Sequence, residues 1–470
     1  MTPLPAGLRL DLDRTVRRGP GGTLIGGSPR RVVRLSKAGW RALRALEQGA
    51  DASPAARALG RRLVDAGMAH PRPAWRAARD VTVVIPVRDR SADLGRCLAA
   101  LDPGMPVVVV DDGSSDPEAT AEVAARHGNA RLVRRSAPGG PAVARNAALA
   151  AVETELIAFL DSDCVAPRSW LEALSGHFDD PLVGAVAPRV RPVGRRRGLL
   201  GRYLAARSPL DMGTGAAVVQ PGGAVSYVPT AALVARRAAL GDGFDAALRY
   251  GEDVDLVWRL RAAGWRVRYD PRVTVGHDEP ATLRSLLARR FRYGTSAAPL
   301  AARHPGRLAP AVVPVWPALA ALLLLRRRPG PAAVIAAQQT IAVSHRVRGR
   351  GLPGALGLWW FGEASAQAAL SVARYVATFA LPAALAAALR SRRRAALGLL
   401  ALPLLDEWRR ARPELDPVRW TALGLADDAA YGAGVWWGCV RERTVRPLLP
   451  RIIARRPYGP GKGRRADLPR

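Results

Sequence analysis

From Val81 the chain alternates apolar runs with helix-spaced segments, and that alternation sets the expected fold. Val81–Pro86 is a continuous, mostly β-branched run, as a strand buried on both faces requires. Leu94–Leu101 reads as a helix, Val107–Val110 as the next strand, then a helix over Pro117–His127 and a strand at Arg131–Val133. Gly139-Gly140-Pro141 leads into a helix over Ala142–Val152, and Leu156–Leu160 is a further buried strand. Alternating strands and helices predict an α/β, Rossmann-like, mainly parallel sheet with right-handed crossovers. In such sheets, ligands bind where the strands end.

The flanks carry different patterns. Leu8–Val16 alternates apolar and polar residues as a half-buried strand does, and Gly19-Pro20-Gly21-Gly22 is a turn that lets Thr23–Gly27 return as its partner. Ser36 suits the cap of a helix through Leu46, and a second helix over Ala55–Ala66 ends at Gly67. Residues 1–75 therefore predict a small winged-helix-like module that resembles PqqD-type peptide-recognition modules in layout, with Pro71-Arg72-Pro73 as the linker. Residues 306–445 predict an all-α, apolar region. Leu308–Leu325 lacks charge but carries three prolines, Pro331–Val343 is too short for a span, and Glu363 and Arg374 interrupt Leu352–Leu389. Arginine clusters at 326–328, 346–350 and 390–394 flank these runs, as the cytoplasmic face of a membrane favours. The expectation is helices that lie on, dip into or cross the inner membrane; a soluble helical cap is the alternative. The tail 446–470, basic and rich in Gly and Pro from Arg451, is expected to be flexible.

Composition narrows the picture. The chain has 470 residues, 49% hydrophobic, so it holds two or three domains and is not disordered. Net charge is +32, almost all from arginine, since Lys37 and Lys462 are the only lysines; phosphate, nucleic acid or anionic lipid are the partners such a surplus favours. The three cysteines form neither a disulfide framework nor a zinc pattern. A dinucleotide or P-loop site is disfavoured because no Gly-x-Gly-x-x-Gly follows the first strand.

Candidate chemistry gathers at the strand ends. Asp161 and Asp163 follow Leu160 and suit Mg²⁺ or Mn²⁺, which take carboxylate and phosphate oxygens, although Asp and Ser also make plain turns. Asp111 and Asp112 suit hydrogen bonds from a base or ribose, and Arg145 offers a fork of donors to a diphosphate. Glu252 and Asp253 open a helix, where carboxylates either favour the dipole or serve as a general base.

Val83-Val84-Ile85-Pro86, Asp111–Asp116, Gly140–Asn146 and Leu160-Asp161-Ser162-Asp163 come in the order and spacing of family 2 glycosyltransferases, which this chain resembles. The resemblance implies a GT-A catalytic domain over 79–305, a nucleotide-diphosphate-sugar donor and an Mg²⁺ or Mn²⁺ cofactor. It places Pro86, Asp111, Asp112, Arg145, Asp161 and Arg292 at the donor, and Asp161, Asp163 and His277 at the metal. Gly222, Gly223, Trp258 and Tyr293 fall at the acceptor. It makes Asp253 the base of an inverting transfer, with Glu252 positioning the acceptor. Processive relatives carry Gln-x-x-Arg-Trp where this chain has Arg289-Arg290-Phe291-Arg292-Tyr293, which tells against membrane-coupled processive synthesis.

Leu24–Pro29, the Gly251–Leu256 segment and Phe291–Thr295 are similar to the branch that serves mycofactocin biosynthesis. That likeness implies β-linked glucose, from UDP-glucose, on a small peptide-derived redox cofactor, with the N-terminal module binding peptide or pathway proteins. A polysaccharide or glycolipid synthase is the alternative; a nucleic-acid-binding or scaffold protein would leave the ordered carboxylates unexplained.

Overall fold

The computed structural model describes residues 2–78, 80–194, 198–349, 353–390 and 393–453. The N-terminal module contains strands β1 (Arg9–Leu12), β2 (Arg17–Gly19), β3 (Thr23–Gly26), β4 (Arg31–Arg34) and β5 (Ala69–Arg72), and helices α1 (Lys37–Gln48) and α2 (Pro54–Asp65). Ser36 Oγ accepts from Gly39 N at 3.1 Å and Ser53 caps α2 in the same way. The strand pairing differs from expectation. β3 pairs with β2 and β4, whereas β1 pairs with β5 across Arg9↔Arg72. Pro71 and Arg72 are thus strand residues and not linker, because β1 needs a partner from outside the hairpin.

The central unit is built on strands β6 (Val81–Val87), β7 (Val107–Asp111), β8 (Ala130–Arg134), β9 (Leu156–Leu160), β10 (Cys164–Val165), β11 (Val183–Pro192), β12 (Ala217–Val218), β13 (Ala232–Arg236) and β14 (Arg266–His277). Their order is β10-β14-β11-β13-β9-β6-β7-β8, with β12 beside β14. Alternate residues of β6 feed opposite cores: Val83, Ile85 and Val87 one, Val84 the other. The continuous apolar run follows from that double burial. The expectation of a mainly parallel sheet holds for β9-β6-β7-β8. The other half is mixed, because β13 runs antiparallel to both β9 and β11, and β10 and β12 run antiparallel to β14. Around the sheet pack α3 (Ser91–Ala100), α4 (Pro117–Ala125), α5 (Pro141–Leu149), α6 (Trp170–Ser175), α7 (Gly198–Arg207), α8 (Arg237–Leu240), α9 (Glu252–Ala262), α10 (Leu283–Thr295) and α11 (Ala297–Arg303).

The C-terminal region is helical: α12 (Val315–Leu325), α13 (Pro329–Arg348), α14 (Leu356–Phe379), α15 (Leu381–Arg390), α16 (Arg393–Ala411) and α17 (Pro417–Arg441). Among the described residues no single helix is long and apolar enough to cross a membrane; Leu356–Phe379 with Leu381–Leu389 passes only as a pair bent by 94°. The uncharged Leu308–Leu325 run is helical only from Val315, since Val312–Pro314 is a strand, β15. β15 pairs in parallel with Arg451–Ile453, β16, so the expected flexible tail begins as ordered strand. Residues 454–470 of that tail lie outside the described residues.

Buried ion pairs join the parts. Arg61 grips Asp180 through Nη1 at 2.6 Å and Nη2 at 2.8 Å, with side chains 0% and 4% exposed. Asp65 holds Arg266 through both oxygens, and Ile25 and Val32 pack against Val343, Val347 and Trp360. The N-terminal module therefore bridges the central unit and the C-terminal helices.

Candidate active site

A cavity of about 1040 Å³ opens at the carboxyl ends of β6, β7 and β9. Its lining includes Pro86, Asp112, Arg145, Asp161, Asp163, Gly222, Glu252, Asp253, Trp258, His277, Arg292 and Tyr293. Asp111 and Gly223 from the sequence reading lie off it. Asp111 is the last residue of β7 and fully buried; its carboxylate accepts from Ser114 N at 2.8 Å and pairs with Arg134. It anchors the turn instead of facing a ligand. Gly223 forms a turn onto the Gln220 carbonyl at 2.9 Å.

Asp112 reaches the cavity wall, but its oxygens accept from Gly139 N and Gly140 N, the latter at 2.7 Å, and pair with Arg135. It thus fixes the Gly139–Gly140 loop over the donor side. Gly113, at φ +72°, lets the chain pass there: a Cβ would lie 2.8 Å from Pro138 N.

Arg145 differs most from expectation. Its Nη2 donates to Asp161 at 2.7 Å and its Nη1 to Glu252 at 2.9 Å, and it sits over the Phe244 ring. Both terminal nitrogens are engaged, so this buried arginine positions two carboxylates and leaves no fork for a diphosphate. Asn146, next in sequence, clamps the backbone of Phe244 in both directions, 2.7 and 2.8 Å. Among the arginines lining the cavity, Arg292 is exposed and donates from Nε to the Ala288 carbonyl, and Arg88, missed in the sequence, has its Nε 3.4 Å from Asp89.

Antiparallel pairing of Cys164 with His277 sets Asp163 beside His277, 114 residues later in the chain. Asp163 Oδ1 lies 3.6 Å from His277 Nε2, and Asp163 Oδ2 takes a hydrogen bond from Arg90 at 2.5 Å. His277 Nδ1 is buried without a hydrogen-bond partner, 3.7 Å from Glu279 Oε1. Burial pushes this imidazole's pKa down, but Glu279 and Asp163 outweigh it and hold the pKa above its usual value. Among the described residues no three His, Cys, Asp or Glu side chains converge. Asp161 on the same turn is held by Arg145 Nη2 at 2.7 Å. One carboxylate and one imidazole fit a divalent cation whose remaining positions are filled by diphosphate oxygens and water. Cys97 and Cys164 support this turn from behind; burial raises both thiols, which donate to the Asp161 and Ala231 carbonyls.

On the opposite wall, Gly251 at φ +82° starts α9 without a side-chain cap. Asp253 Oδ1 accepts only from Val254 N, 2.8 Å away. Burial, then the Glu252 charge beside it, push the Asp253 carboxyl up to about 7, near where a general base works best. Trp258 is fixed by its Nε1 to the Ser226 carbonyl at 2.9 Å and edge-on to His304.

The description Glycosyl transferase family 2 matches residues 82–241. The chain is 40% identical, over 96% of its length and 99% of theirs, to the pre-mycofactocin glycosyltransferases of two Mycobacterium tuberculosis strains. It belongs to glycosyl transferase family 2. This glycosyltransferase is also 35% identical over 188 residues, 40% of its own length and 81% of the relative's, to an uncharacterized glycosyltransferase of Mycobacterium bovis. Among solved structures it is similar to a mannosyltransferase of Pyrobaculum calidifontis in complex with GDP-Man and Mn²⁺, at 20% identity and a TM-score of 0.43, covering 78% of this chain and 89% of that one.

Proposed function

We propose that this glycosyltransferase moves glucose, in β linkage, from UDP-glucose to the peptide-derived precursor of mycofactocin. The full-length likeness to the pre-mycofactocin enzymes supports the acceptor. The observation that carries the chemistry is a carboxyl group held near neutrality, Asp253, on the same cavity as the Asp163–His277 pair. In the reaction, Asp253 takes the acceptor hydroxyl proton as the acceptor oxygen bonds to the sugar's anomeric carbon. The bond from that carbon to the diphosphate breaks on the opposite face, inverting the centre. Asp163 and His277 would hold Mg²⁺ or Mn²⁺, which neutralises the departing diphosphate. Arg292 and Arg88 supply further positive charge, and Glu252, fixed by Arg145, orients the acceptor side. Calorimetry of UDP-glucose with and without Mn²⁺ tests the donor site. Metal-dependent binding that Asp163→Ala removes is expected; metal-independent binding unchanged in the variant would refute the clamp.

The same reading places the enzyme at the cytoplasmic face of the membrane. Leu322, Leu324, Ile341, Leu358, Trp359 and Leu389 are exposed large side chains on the C-terminal helices, next to exposed Arg326, Arg327 and Arg328. Apolar contact with acyl chains and arginine contact with anionic headgroups suit an interfacial mode. The cavity lining runs through Leu308 and Val312 to this region, which favours a lipid-linked acceptor as the second reading. Flotation with phosphatidylglycerol vesicles, lost when Leu322 and Leu324 become Ser, tests the membrane mode; flotation equal to that of the intact enzyme would refute it.

A further inference from the structure

Three tyrosines, of which the family motifs account for Tyr293 alone, line the cavity that also holds Asp253. Tyr227 comes from the loop before β13, Tyr293 from α10 and Tyr431 from α17, and all three line the cavity. None of their hydroxyls has a hydrogen-bond partner among the described residues. Asp253, Tyr431, Arg290 and Tyr293 all lie close enough to act on the Tyr227 hydroxyl, which burial pushes up. Tyr227 and Tyr293 are thus neighbours of Asp253, and Tyr431 and Arg290 join them through Tyr227 on the same cavity wall.

The cluster is built to be rigid. Arg290, also on the cavity wall, stands 5.1 Å over the Tyr431 ring and donates from Nε to Asp427 at 2.5 Å. Asp427 in turn accepts from Tyr203 Oη at 3.0 Å and Arg207 Nη1 at 2.7 Å. α10 and α17 meet backbone to backbone: a Cβ at Gly294 would strike the Tyr431 carbonyl, and one at Gly434 the Phe291 carbonyl. That close approach is what brings Tyr431, 178 residues beyond Asp253 in the chain, to the cavity.

We propose that Tyr227, Tyr431 and Arg290 complete with Tyr293 a subsite for a ring-shaped, hydroxyl-bearing acceptor beside Asp253, which makes helix α17 part of the transferase site. This rests on the reading of the cavity as a sugar-transfer site. Aromatic faces stack on flat ring faces, and open phenolic hydroxyls pair with the ring's substituents. A saturated sugar ring and a phenolic ring share that chemistry.

The test uses the full chain with UDP and Mn²⁺, and two probes, cellobiose and 4-hydroxybenzyl alcohol, followed by saturation-transfer magnetic resonance and titration. Wild type should bind at least one ring, and Tyr431→Ala should weaken that binding about tenfold, the loss of one ring contact and one hydroxyl. Tyr431→Phe should keep most of it, and UDP affinity should be unchanged in both. Preference for cellobiose assigns a sugar acceptor, preference for the alcohol an aromatic one. The subsite is overturned if wild type binds UDP but neither ring. It is equally overturned if Tyr431→Ala, with an unaltered melting curve, binds both as wild type does. Failure of wild type to bind UDP strikes the donor reading first and takes the subsite with it.

Discussion

Replacing Glu252 by Gln should move the acid limb of the transfer rate to lower pH. Asp253 must be ionised to accept a proton, and burial followed by the Glu252 charge hold it up to about 7. Asp253 is then mostly protonated in mildly acidic solution and mostly ionised in mildly alkaline solution. A like charge in the same helical turn contributes about 1–3 kcal/mol at an effective dielectric of about 20, equivalent to roughly one or two pH decades. Gln keeps an acceptor for Arg145 Nη1, now 2.9 Å from Glu252, so the pocket should hold its shape. Burial remains, and the limb should settle above the ordinary carboxylate range. The assay is kcat/KM for transfer, by mass spectrometry across pH 5–9, which reports the free enzyme. A limb that stays put or moves upward would refute the coupling. Asp253→Asn should cost about 10²–10⁴ in rate with donor affinity intact; a variant that retains the rate removes Asp253 as the base. Stability runs the other way. A carboxyl whose folded pKa is raised stabilises the fold fully below its ordinary value of about 4, and that contribution is lost as pH rises through about 7. Asp253→Asn should therefore gain in melting temperature over wild type at pH 8 and gain less at pH 5.

Three further outcomes follow from buried charge. Arg145→Ala strands Glu252 and Asp161 and should cost about 3–5 kcal/mol in urea unfolding; Arg145→Lys, a point donor, should recover only part of it. Arg61→Leu should cost a similar amount, about 3–5 kcal/mol, by leaving Asp180 buried and unpaired. Adding Asp180→Leu should restore most of it, and a double variant no more stable than Arg61→Leu would mean the pair does not dock the N-terminal module. Glu279→Gln should weaken Mn²⁺-dependent UDP binding about 10- to 100-fold, because the Glu279 carboxylate, 3.7 Å from His277 Nδ1, supplies the charge behind that ring; unchanged metal dependence would place the cation elsewhere.

The catalytic unit was legible because its strands are double-sided. Val81–Pro86 and Leu156–Leu160 have no polar face to confuse the period, and the structure has strands at Val81–Val87 and Leu156–Leu160. The motifs were found because each polar cluster abuts such a strand. What each residue does there was less legible. Asp111 and Asp112 differ by one position, and strand alternation buries one against Arg134 while turning the other to the cavity. Arg145 looked free in sequence because Glu252, its second partner, is 107 residues away. Mixed strand direction left no local trace, since Ala232–Arg236 reads the same whichever way its neighbours run. Tyr227 and Tyr431 sit in no motif, and only the glycines at 294, 434 and 438 hinted at a close helix crossing.

These residues also explain why the flanking thirds are not appendages. Gln220 Nε2, two residues before Gly222 on the cavity rim, donates to the Ser28 carbonyl of the N-terminal module at 3.2 Å. Arg14 of the same module donates to Thr214 at 2.9 Å. From the other end, α17 supplies Tyr431, and the β15–β16 pair brings Val312 and Arg451 to the cavity. Asp161 and Asp163 follow a strand of the sheet, where the family motifs lie, and Arg292 reaches the same cavity from α10. The rest of the lining comes from loops of the sheet, α9, α10 and α17, and the N-terminal module supports the rim from outside through Ser28. On the proposed reading an acceptor there would also meet α17, so a change in that helix would alter acceptor choice while Asp163 and His277 stay as they are.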